Sequence, residues 1–314
     1  MLPTDAIWGG FFLLHICIGY MGNSLLLGFY VYTFLTQSHL KKPIDGILLH
    51  LTLVNILTIT FRLIPDVVSS FGVRHFLNDA GCKAMMFMYR VTRGLSICTT
   101  ALLSAFQAVT ISPGNSKWAW LKSISSGCIY PALLFFWGIN LLIYIHIILA
   151  KEANPNSTVA GSRYSSLYCQ TSRSTGNSQT FLSAMVIRDL LFVVPMMGFS
   201  LYMVNLIYRH RQRVRHMHSS RLYSQTPPEI KATHTIVLLV SCFVFFYCAN
   251  NFSTFYVFYR LQKNPGLERI TGTLASCYPT ICPFVLMKNN KIMSKFTSSL
   301  SQMRITFSGR AFSR

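Results

Sequence analysis

The stretch that decides the fold is Cys82–Pro113, which reads CKAMMFMYRVTRGLSICTTALLSAFQAVTISP. It is apolar for longer than the roughly 20 residues that an α-helix needs to cross a bilayer. It ends at Ser112-Pro113, and the residue before a proline is pushed out of helical geometry. Arg90 and Arg93 lie in its first half. Because charge inside a spanning helix is costly, it normally faces protein or water. The stretch therefore predicts a central membrane helix with a buried polar side.

The composition is that of a multi-span membrane protein. Of the 314 residues, 52% are hydrophobic and only 11% are charged, against about 25% charged in an ordinary soluble domain. The formal net charge is +20, and in a soluble protein such an excess suggests nucleic acid as a partner. Here the basic residues cluster at the ends of apolar runs, where topology and anionic lipid explain them. We therefore expect membrane lipid, and no nucleic acid, as a partner.

Seven apolar runs are long enough to cross the membrane, which predicts an all-α, seven-helix bundle forming one domain over residues 1–314. The predicted spans are 7–36, 46–70, 83–111, 125–150, 184–208, 231–259 and 269–287. Residues 288–314 are predicted to form a cytoplasmic tail. Apolar residues recur on one face of this tail, which indicates an amphipathic helix on the membrane surface.

The distribution of basic residues predicts the orientation. Lys and Arg are more numerous in the loops after the first, third and fifth spans and in the tail than in the N-terminal stub and the other loops. Since cytoplasmic segments carry this excess, we expect the N-terminus outside and the C-terminus in the cytoplasm. Asn156 begins a glycosylation acceptor triplet in a predicted outer loop. Cys82 and Cys169 are on the same side, where disulfides are permitted.

Charged side chains inside the spans need partners. Arg62 and Asp66 are four residues apart on one helix face, so we expect them to pair. Arg90 and Arg93 share a face of the third helix, and burying them without partners costs several kcal/mol. Their partner is Asp66, Asp189, helix-end carbonyls, water or an anionic ligand. The sequence leaves these alternatives open.

Two further polar features lie near or within the sixth span. Thr226 followed by Pro227-Pro228-Glu229 is typical of a helix start, with a capping hydroxyl and proline at the first helical position. Asn251 begins a second glycosylation triplet. We discount this triplet because a residue within a membrane span is out of reach of glycosylation.

Several blocks of the sequence resemble the vomeronasal type 1 receptors, a family of G-protein-coupled receptors. The blocks are distributed over nearly the whole chain. They are CK at 82–83, RGLSICTT at 93–100, QAVTISP at 107–113, IYIH at 143–146, YC at 168–169, RDLLFV at 188–193, PEIKAT at 228–233 and CPFVL at 282–286.

The resemblance implies a chemosensory receptor in the plasma membrane. The sequence outside the spans shows no phosphate-binding loop, metal-ligand spacing or nucleophile motif, so we expect no enzymatic activity, no metal and no cofactor. The resemblance implies that the receptor binds a pheromone-like small molecule and activates a heterotrimeric G protein of the inhibitory type. It also implies a disulfide between Cys82 and Cys169, which would hold the second outer loop against the third helix.

The resemblance also assigns the ligand-binding candidates Tyr89, Arg90 and Arg93, because related receptors hold ligands at this depth of the third helix. Arg90 favours an acidic or sulfated molecule through charge-assisted hydrogen bonds. Arg93 belongs to a block shared by receptors whose ligands differ, so we favour a structural or switching role for it. Tyr89 and Arg90 are therefore the stronger candidates for ligand contact.

The cytoplasmic ends of the fifth and sixth helices are predicted to meet the G protein. Movement of the sixth helix could open a groove there for a partner helix. Topology and binding to anionic lipid explain the same basic residues equally well. The candidates are Arg209, Arg211, Arg213, Arg215 and Lys231.

Two departures separate the chain from common rhodopsin-like receptors. Phe106-Gln107-Ala108 stands where those receptors carry an acidic-Arg-Tyr triplet, so activation by release of an ionic lock cannot be carried over. CPFVL at 282–286 replaces their Asn-Pro-x-x-Tyr block. The alternatives are a seven-helix receptor with a non-pheromone ligand and, less favoured, a multi-span transporter. The sequence shows no internal repeat of the kind that transporters often carry.

Overall fold

The computed structural model describes residues 3–36, 42–73, 77–113, 119–149, 164–165, 170–171, 175–217, 228–259 and 265–288. Seven α-helices account for most of them, and each contains a segment long and apolar enough to cross a membrane. This confirms the predicted seven-helix bundle. The helices are α1 Pro3–Thr36, α2 Pro43–Ser70, α3 Asp79–Ile111, α4 Ala119–Leu149, α5 Thr175–Met217, α6 Pro228–Tyr259 and α7 Pro265–Lys288. Between α4 and α5, the short strands β1 (Tyr164–Ser165) and β2 (Gln170–Thr171) pair antiparallel.

Local chemistry fixes several helix ends. Asn78 caps α3, because its side-chain oxygen accepts the backbone N–H of Gly81 at 2.8 Å. The helix stops before Ser112, as the following proline predicts. α6 begins at Pro228, also as predicted. α5 extends beyond its predicted span of 184–208 at both ends, because hydropathy marks only the part of a helix that lies in lipid.

α3 is the central helix of the bundle, as the opening stretch predicts. It packs against α2, α4, α5 and α6, and much of its length is buried. Leu103 of α3 lies in the main apolar core with Met203 of α5 and Leu239 of α6, all fully buried. Large apolar side chains such as Leu134 are exposed on the outside of the bundle. In a bilayer they contact lipid tails.

Close approach of α1 to its neighbours depends on small residues. A Cβ atom on Gly19 would lie 2.7 Å from Ile59 of α2, and one on Gly22 would lie 2.9 Å from Pro283 of α7. The next residue, Asn23, is fully buried and donates to the carbonyl of Pro279 in α7 at 3.0 Å. Small and hydrogen-bonding residues at such contacts are typical of helix packing in membranes.

Candidate functional site

The two ends of the bundle differ in chemistry. The N-terminal end is where α1, α3, α5 and α7 begin, and the C-terminal end is where these four helices finish. Most of the buried charge of the described residues lies towards the N-terminal end. It forms a central network between α3, α4, α5, α6 and α7 and a second cluster between α1, α2 and α7.

The central network starts from the adjacent residues Arg188 and Asp189 of α5, which form an ion pair. Arg188 also donates to Oδ1 of Asn140 and to the hydroxyl of Tyr144, both on α4 and both at 2.7 Å. Its guanidinium carbon lies 5.1 Å from the centroid of the Tyr144 ring, within the range of a cation–π contact. One arginine therefore satisfies three oxygen acceptors and joins α4 to α5.

Gly94 of α3 makes room for this arrangement. A Cβ atom there would fall on Oδ1 of Asn140 and lie 2.6 Å from the guanidinium of Arg188. The glycine allows α3 to approach the polar contact between α4 and α5 closely. This gives a physical reason for glycine in the RGLSICTT block at 93–100.

Tyr247 carries the network to α6. Its hydroxyl donates to Oδ2 of Asp189 at 2.8 Å, so Asp189 uses one oxygen for Arg188 and the other for Tyr247. The guanidinium carbon of Arg93 lies 5.4 Å from the centroid of the Tyr247 ring. Tyr247 is therefore placed between α5, which it contacts through its hydroxyl, and α3, which it contacts through its ring.

Arg93 is held by two amides of α6. It donates to Oδ1 of Asn251 at 2.6 Å. The side-chain amide of Asn250 can be placed in two orientations, and one of them makes two hydrogen bonds. In that orientation its oxygen accepts from Arg93 at 2.7 Å and its nitrogen donates to the carbonyl of Thr271 in α7 at 3.1 Å. Neutral amides are therefore direct partners of Arg93, and Asp189 is joined to it through Tyr247.

Tyr89 and Arg90 precede Arg93 by about one turn, and each contacts a different helix. Both are half-buried. The Tyr89 ring lies under the guanidinium of Arg62 in α2, at 5.6 Å, whereas Arg90 donates to the sulfur of Met185 in α5 at 3.1 Å. A thioether sulfur is a weak acceptor. Arg90 and Arg93 thus lie close along α3 but contact different neighbouring helices.

The second cluster closes α1 and α2 against α7. Nη1 of Arg62 lies 3.7 Å from Oδ2 of Asp66, which confirms the pair predicted from their spacing. Gly272 of α7 packs on it, since a Cβ atom there would lie 2.6 Å from Arg62 and 2.8 Å from Asp66. Arg269 pairs with Asp5 of α1. A contact between residues so far apart in sequence has no local pattern that could predict it.

The C-terminal end has neutral interhelical contacts. Gln107 is buried, and its amide nitrogen donates to the hydroxyl of Thr233 in α6 at 3.1 Å. The hydroxyls of Ser112 and Tyr202 lie 3.0 Å apart and join α3 to α5. A neutral hydrogen bond therefore links α3 to α6 from Gln107, which stands in place of the arginine of the common triplet.

Sequence reasoning missed His50, which ties three helices together. Its Nε2 accepts from the indole N–H of Trp137 in α4 at 2.9 Å, and its Nδ1 lies 3.0 Å from the hydroxyl of Thr99 in α3. Since Nε2 is an acceptor, the proton is on Nδ1 and Thr99 is the acceptor. A histidine in an apolar span is a weak signal, because it can equally be a packed core residue.

Of the predicted G-protein contacts, Arg209 and Lys231 have described side chains. Both are exposed near the C-terminal end, on α5 and α6. The side chains of Arg211, Arg213 and Arg215 are outside the described part of the chain. So are Asn156, Cys169 and the predicted tail helix, and these predictions stay predictions. Among the described residues, no three His, Cys, Asp or Glu side chains converge as metal ligands.

Comparisons with known proteins agree with this architecture. The model of the vomeronasal organ pheromone receptor family matches residues 7–299. Vomeronasal type-1 receptor 1 of Homo sapiens is 34% identical over 287 residues, which are 91% of this chain and 80% of that protein. Vomeronasal type-1 receptor 94 of Rattus norvegicus is 32% identical over 296 residues, which are 92% of this chain and 88% of that protein.

The solved structure of squid rhodopsin has the same fold. It superposes with a TM-score of 0.73 at 16% identity, over 96% of this chain and 87% of that chain. Such a family implies a ligand and a G protein as partners, and it is a family of receptors rather than enzymes. The chain therefore belongs to the vomeronasal organ pheromone receptor family and is a chemosensory, seven-helix G-protein-coupled receptor of the plasma membrane.

Proposed function

We propose that this receptor binds a pheromone-like small molecule at the N-terminal end of its bundle and activates an inhibitory-type heterotrimeric G protein at the C-terminal end. The observation that carries the proposal is the Arg90–Met185 contact between α3 and α5. It places one nitrogen of the Arg90 guanidinium at a thioether sulfur between α3 and α5, about one turn from the network that joins α3 to α6. An anionic group on a ligand would be a stronger acceptor than the sulfur.

Arg90 and Tyr89 are the proposed ligand contacts, and Arg93 has a structural or switching role. Arg90 can offer more than one N–H donor to a carboxylate or sulfate in a fixed geometry. The Tyr89 ring is already covered on one side by Arg62, so that it offers the ligand its remaining surface. The amides that hold Arg93 are on α6, and replacing Arg93 is therefore expected to affect every ligand.

The test is a panel of acidic and neutral small molecules applied to cells that express the receptor, with nucleotide exchange on a G protein as readout. We expect Arg90→Gln to weaken the response to an activating acid at unchanged surface expression. Arg90→Lys should retain part of it, because it keeps the charge and loses the guanidinium fork. Equal responses of the two variants and the wild type would exclude Arg90 as a ligand contact. Resistance of the response to pertussis toxin would exclude the inhibitory type.

The G-protein surface is proposed at the paired ends of α5 and α6. Arg209 and Lys231 are exposed there, and Arg211, Arg213 and Arg215 continue α5 beyond them. Replacing the four arginines by Gln at matched surface expression should lower nucleotide exchange. An unchanged response would leave only topology and lipid binding as their role. Binding of membrane lipid is part of the proposal, and binding of nucleic acid is not.

The proposed orientation places the N-terminal end outside the cell. Of the cysteines that the structure describes, seven have free thiols, and we propose that Cys82 forms a disulfide with Cys169. Alkylation of both residues in the non-reduced receptor would exclude it. Asn156 is proposed to carry a glycan on the same side, and Asn156→Gln should then increase gel mobility before glycosidase treatment and not after it.

A further inference from the structure

Tyr247 is the residue through which the central network meets the aromatic core. On its polar side are the carboxylate of Asp189 and the guanidinium of Arg93. On its other side, its ring stacks on Phe243 with centroids 5.8 Å apart. Phe243 in turn meets the ring of Tyr278 in α7 edge-on, at 4.8 Å. A change in position of Tyr247 would therefore alter contacts both at the N-terminal end and in the aromatic core.

The aromatic series leads back to α3. The hydroxyl of Tyr278, which is buried, lies 3.1 Å from the hydroxyl of Thr100. Thr100 is seven residues, or about two turns, beyond Arg93 on the same helix. Tyr247 is thus joined to α3 at two depths: through Arg93 next to the proposed ligand contacts, and through Phe243 and Tyr278 further towards the C-terminal end.

The acceptor of the Tyr247 hydroxyl is buried, whereas Tyr247 itself is half-buried. A buried carboxylate in a membrane protein finds little water to replace a lost partner, so breaking this hydrogen bond costs free energy. Asp189 remains paired with Arg188 if Tyr247 leaves. The carboxylate is therefore never left without a charge partner, and the bond to Tyr247 can break without unpairing the ions.

We propose that the hydrogen bond from Tyr247 to Asp189 is a conformational switch that holds α6 against α5 in the resting receptor. When it breaks, α6 moves away from α5 and α3 at the C-terminal end of the bundle. The neutral hydrogen bond from Gln107 in α3 to Thr233 in α6 is the contact that breaks there. This proposal rests on the proposed function in one respect, namely that the opened C-terminal end of the bundle binds a G protein. The test of the switch itself needs neither a ligand nor a G protein.

The test measures the distance between the ends of α5 and α6 in the purified full-length receptor in lipid nanodiscs. Spin labels on non-canonical amino acids at the exposed positions 209 and 231 report this distance by pulsed electron resonance, and the native cysteines stay unchanged. Tyr247→Phe removes only the hydroxyl. We expect it to increase the population at long distance at least threefold. Tyr130→Phe, the same change at an exposed position of α4, should reproduce the wild-type distribution.

A second variant weakens the same bond from the acceptor side. Asp189→Asn keeps the shape of the side chain and replaces a carboxylate acceptor by a neutral amide, which accepts a weaker hydrogen bond from Tyr247. We expect it to increase the long-distance population above that of the wild type. Wild-type distributions in Tyr247→Phe would overturn the switch. So would a wild-type distribution in Asp189→Asn, should Tyr247→Phe not fold.

Nucleotide exchange on a panel of G proteins separates this proposal from the proposed function. A long-distance population in Tyr247→Phe without exchange on any G protein would contradict the proposed function and leave the switch standing. Ligand-dependent exchange in the wild type, together with an unchanged distance distribution in Tyr247→Phe, would remove the switch and leave the proposed function standing.

Discussion

Among the described residues, ion pairs lie at the N-terminal end of the bundle, whereas neutral hydrogen bonds join α3 to its neighbours at the C-terminal end. Arg188–Asp189 and Arg62–Asp66 are each within one helix, and Arg269–Asp5 joins α7 to α1. The neutral bonds are Gln107–Thr233 and Ser112–Tyr202. Both sets lie within helices that cross the membrane, so that the lipid environment does not explain the difference.

The difference concerns what happens when a contact breaks. A buried charge that loses its partner costs several kcal/mol, whereas a neutral hydrogen bond contributes about 1 kcal/mol net. The ion pairs of the N-terminal end are therefore expected to stay formed, also when the bond from Tyr247 to Asp189 breaks, and they hold charged side chains at defined positions for a ligand. The neutral end can rearrange at small cost, which suits a surface that must open for a partner. The following variants test this contrast, from the largest expected effect to the smallest.

Removing the positive member of the central pair should have the largest effect. Arg188→Met leaves Asp189 with Tyr247 but without a charge partner, and Asn140 and Tyr144 each lose a donor. We expect a loss of about 3–5 kcal/mol, seen as low surface expression and a lowered thermal unfolding temperature in nanodiscs. Arg209→Met, at an exposed position of the same helix, is the control and should change little. Similar losses in both variants would contradict the special role of the buried pair.

The second test concerns the space around that pair. Gly94→Ala places a methyl group on Asn140 and Arg188, and such overpacking costs about 1–3 kcal/mol. Gly198→Ala in α5 is the matched control, because a Cβ atom there meets nothing within 4 Å. In a helix it should be neutral or stabilise by about 0.5–1 kcal/mol. Thermal unfolding of both variants gives the comparison, and an equal response would show that the network adapts to the extra atoms.

The contrast between the two ends also shows how far sequence reasoning extends. The end of α3 before Pro113, the start of α6 at Pro228 and the Arg62–Asp66 pair were predictable, because each depends on residues within about one turn. The length of α5 was not, since its polar ends continue as helix beyond the lipid-sized run. Local patterns therefore predict elements and contacts within one helix.

Contacts between helices need information that local patterns lack. Arg93 and Asn251 are separated by 158 residues, and Arg269 and Asp5 by 264. Their pairing depends on the depth and rotation of each helix, which a single sequence does not fix. Asn251 begins a glycosylation triplet that is discounted because it lies in a span. The cost of an amide in lipid indicates a partner on another helix, and this signal could have found the Arg93 contact.

The third test addresses the part of the charged end that is nearest to solvent. The side chain of Asp5 is 31% exposed, against 4% for Asp66. Asp5→Asn keeps the shape and removes the charge that faces Arg269. Because water reaches this pair, we expect a loss of about 1.5 kcal/mol, less than for Arg188→Met. A double-mutant cycle with Arg269→Gln measures the coupling free energy between the two side chains. A coupling as large as that of a buried pair would contradict the expectation that exposure to water weakens this ion pair.

The last test concerns the neutral end and has the smallest expected effect. Thr233→Val removes the acceptor for Gln107, so that the buried amide loses a partner at a cost of about 1 kcal/mol. Replacing both residues, as Gln107→Leu with Thr233→Val, removes donor and acceptor together. Replacement of a hydrogen-bonded pair by apolar groups of similar shape is nearly neutral, and the double variant should therefore unfold within a few degrees of the wild type.

The central ion pair would behave differently. Arg188 also donates to Asn140 and Tyr144, so that replacing Arg188 and Asp189 together would still leave these two acceptors without their donor. If the double variant is instead as unstable as Arg188→Met, the neutral bond is a principal support of the fold. The C-terminal end could then not yield at small cost, and α6 would need a different route to open.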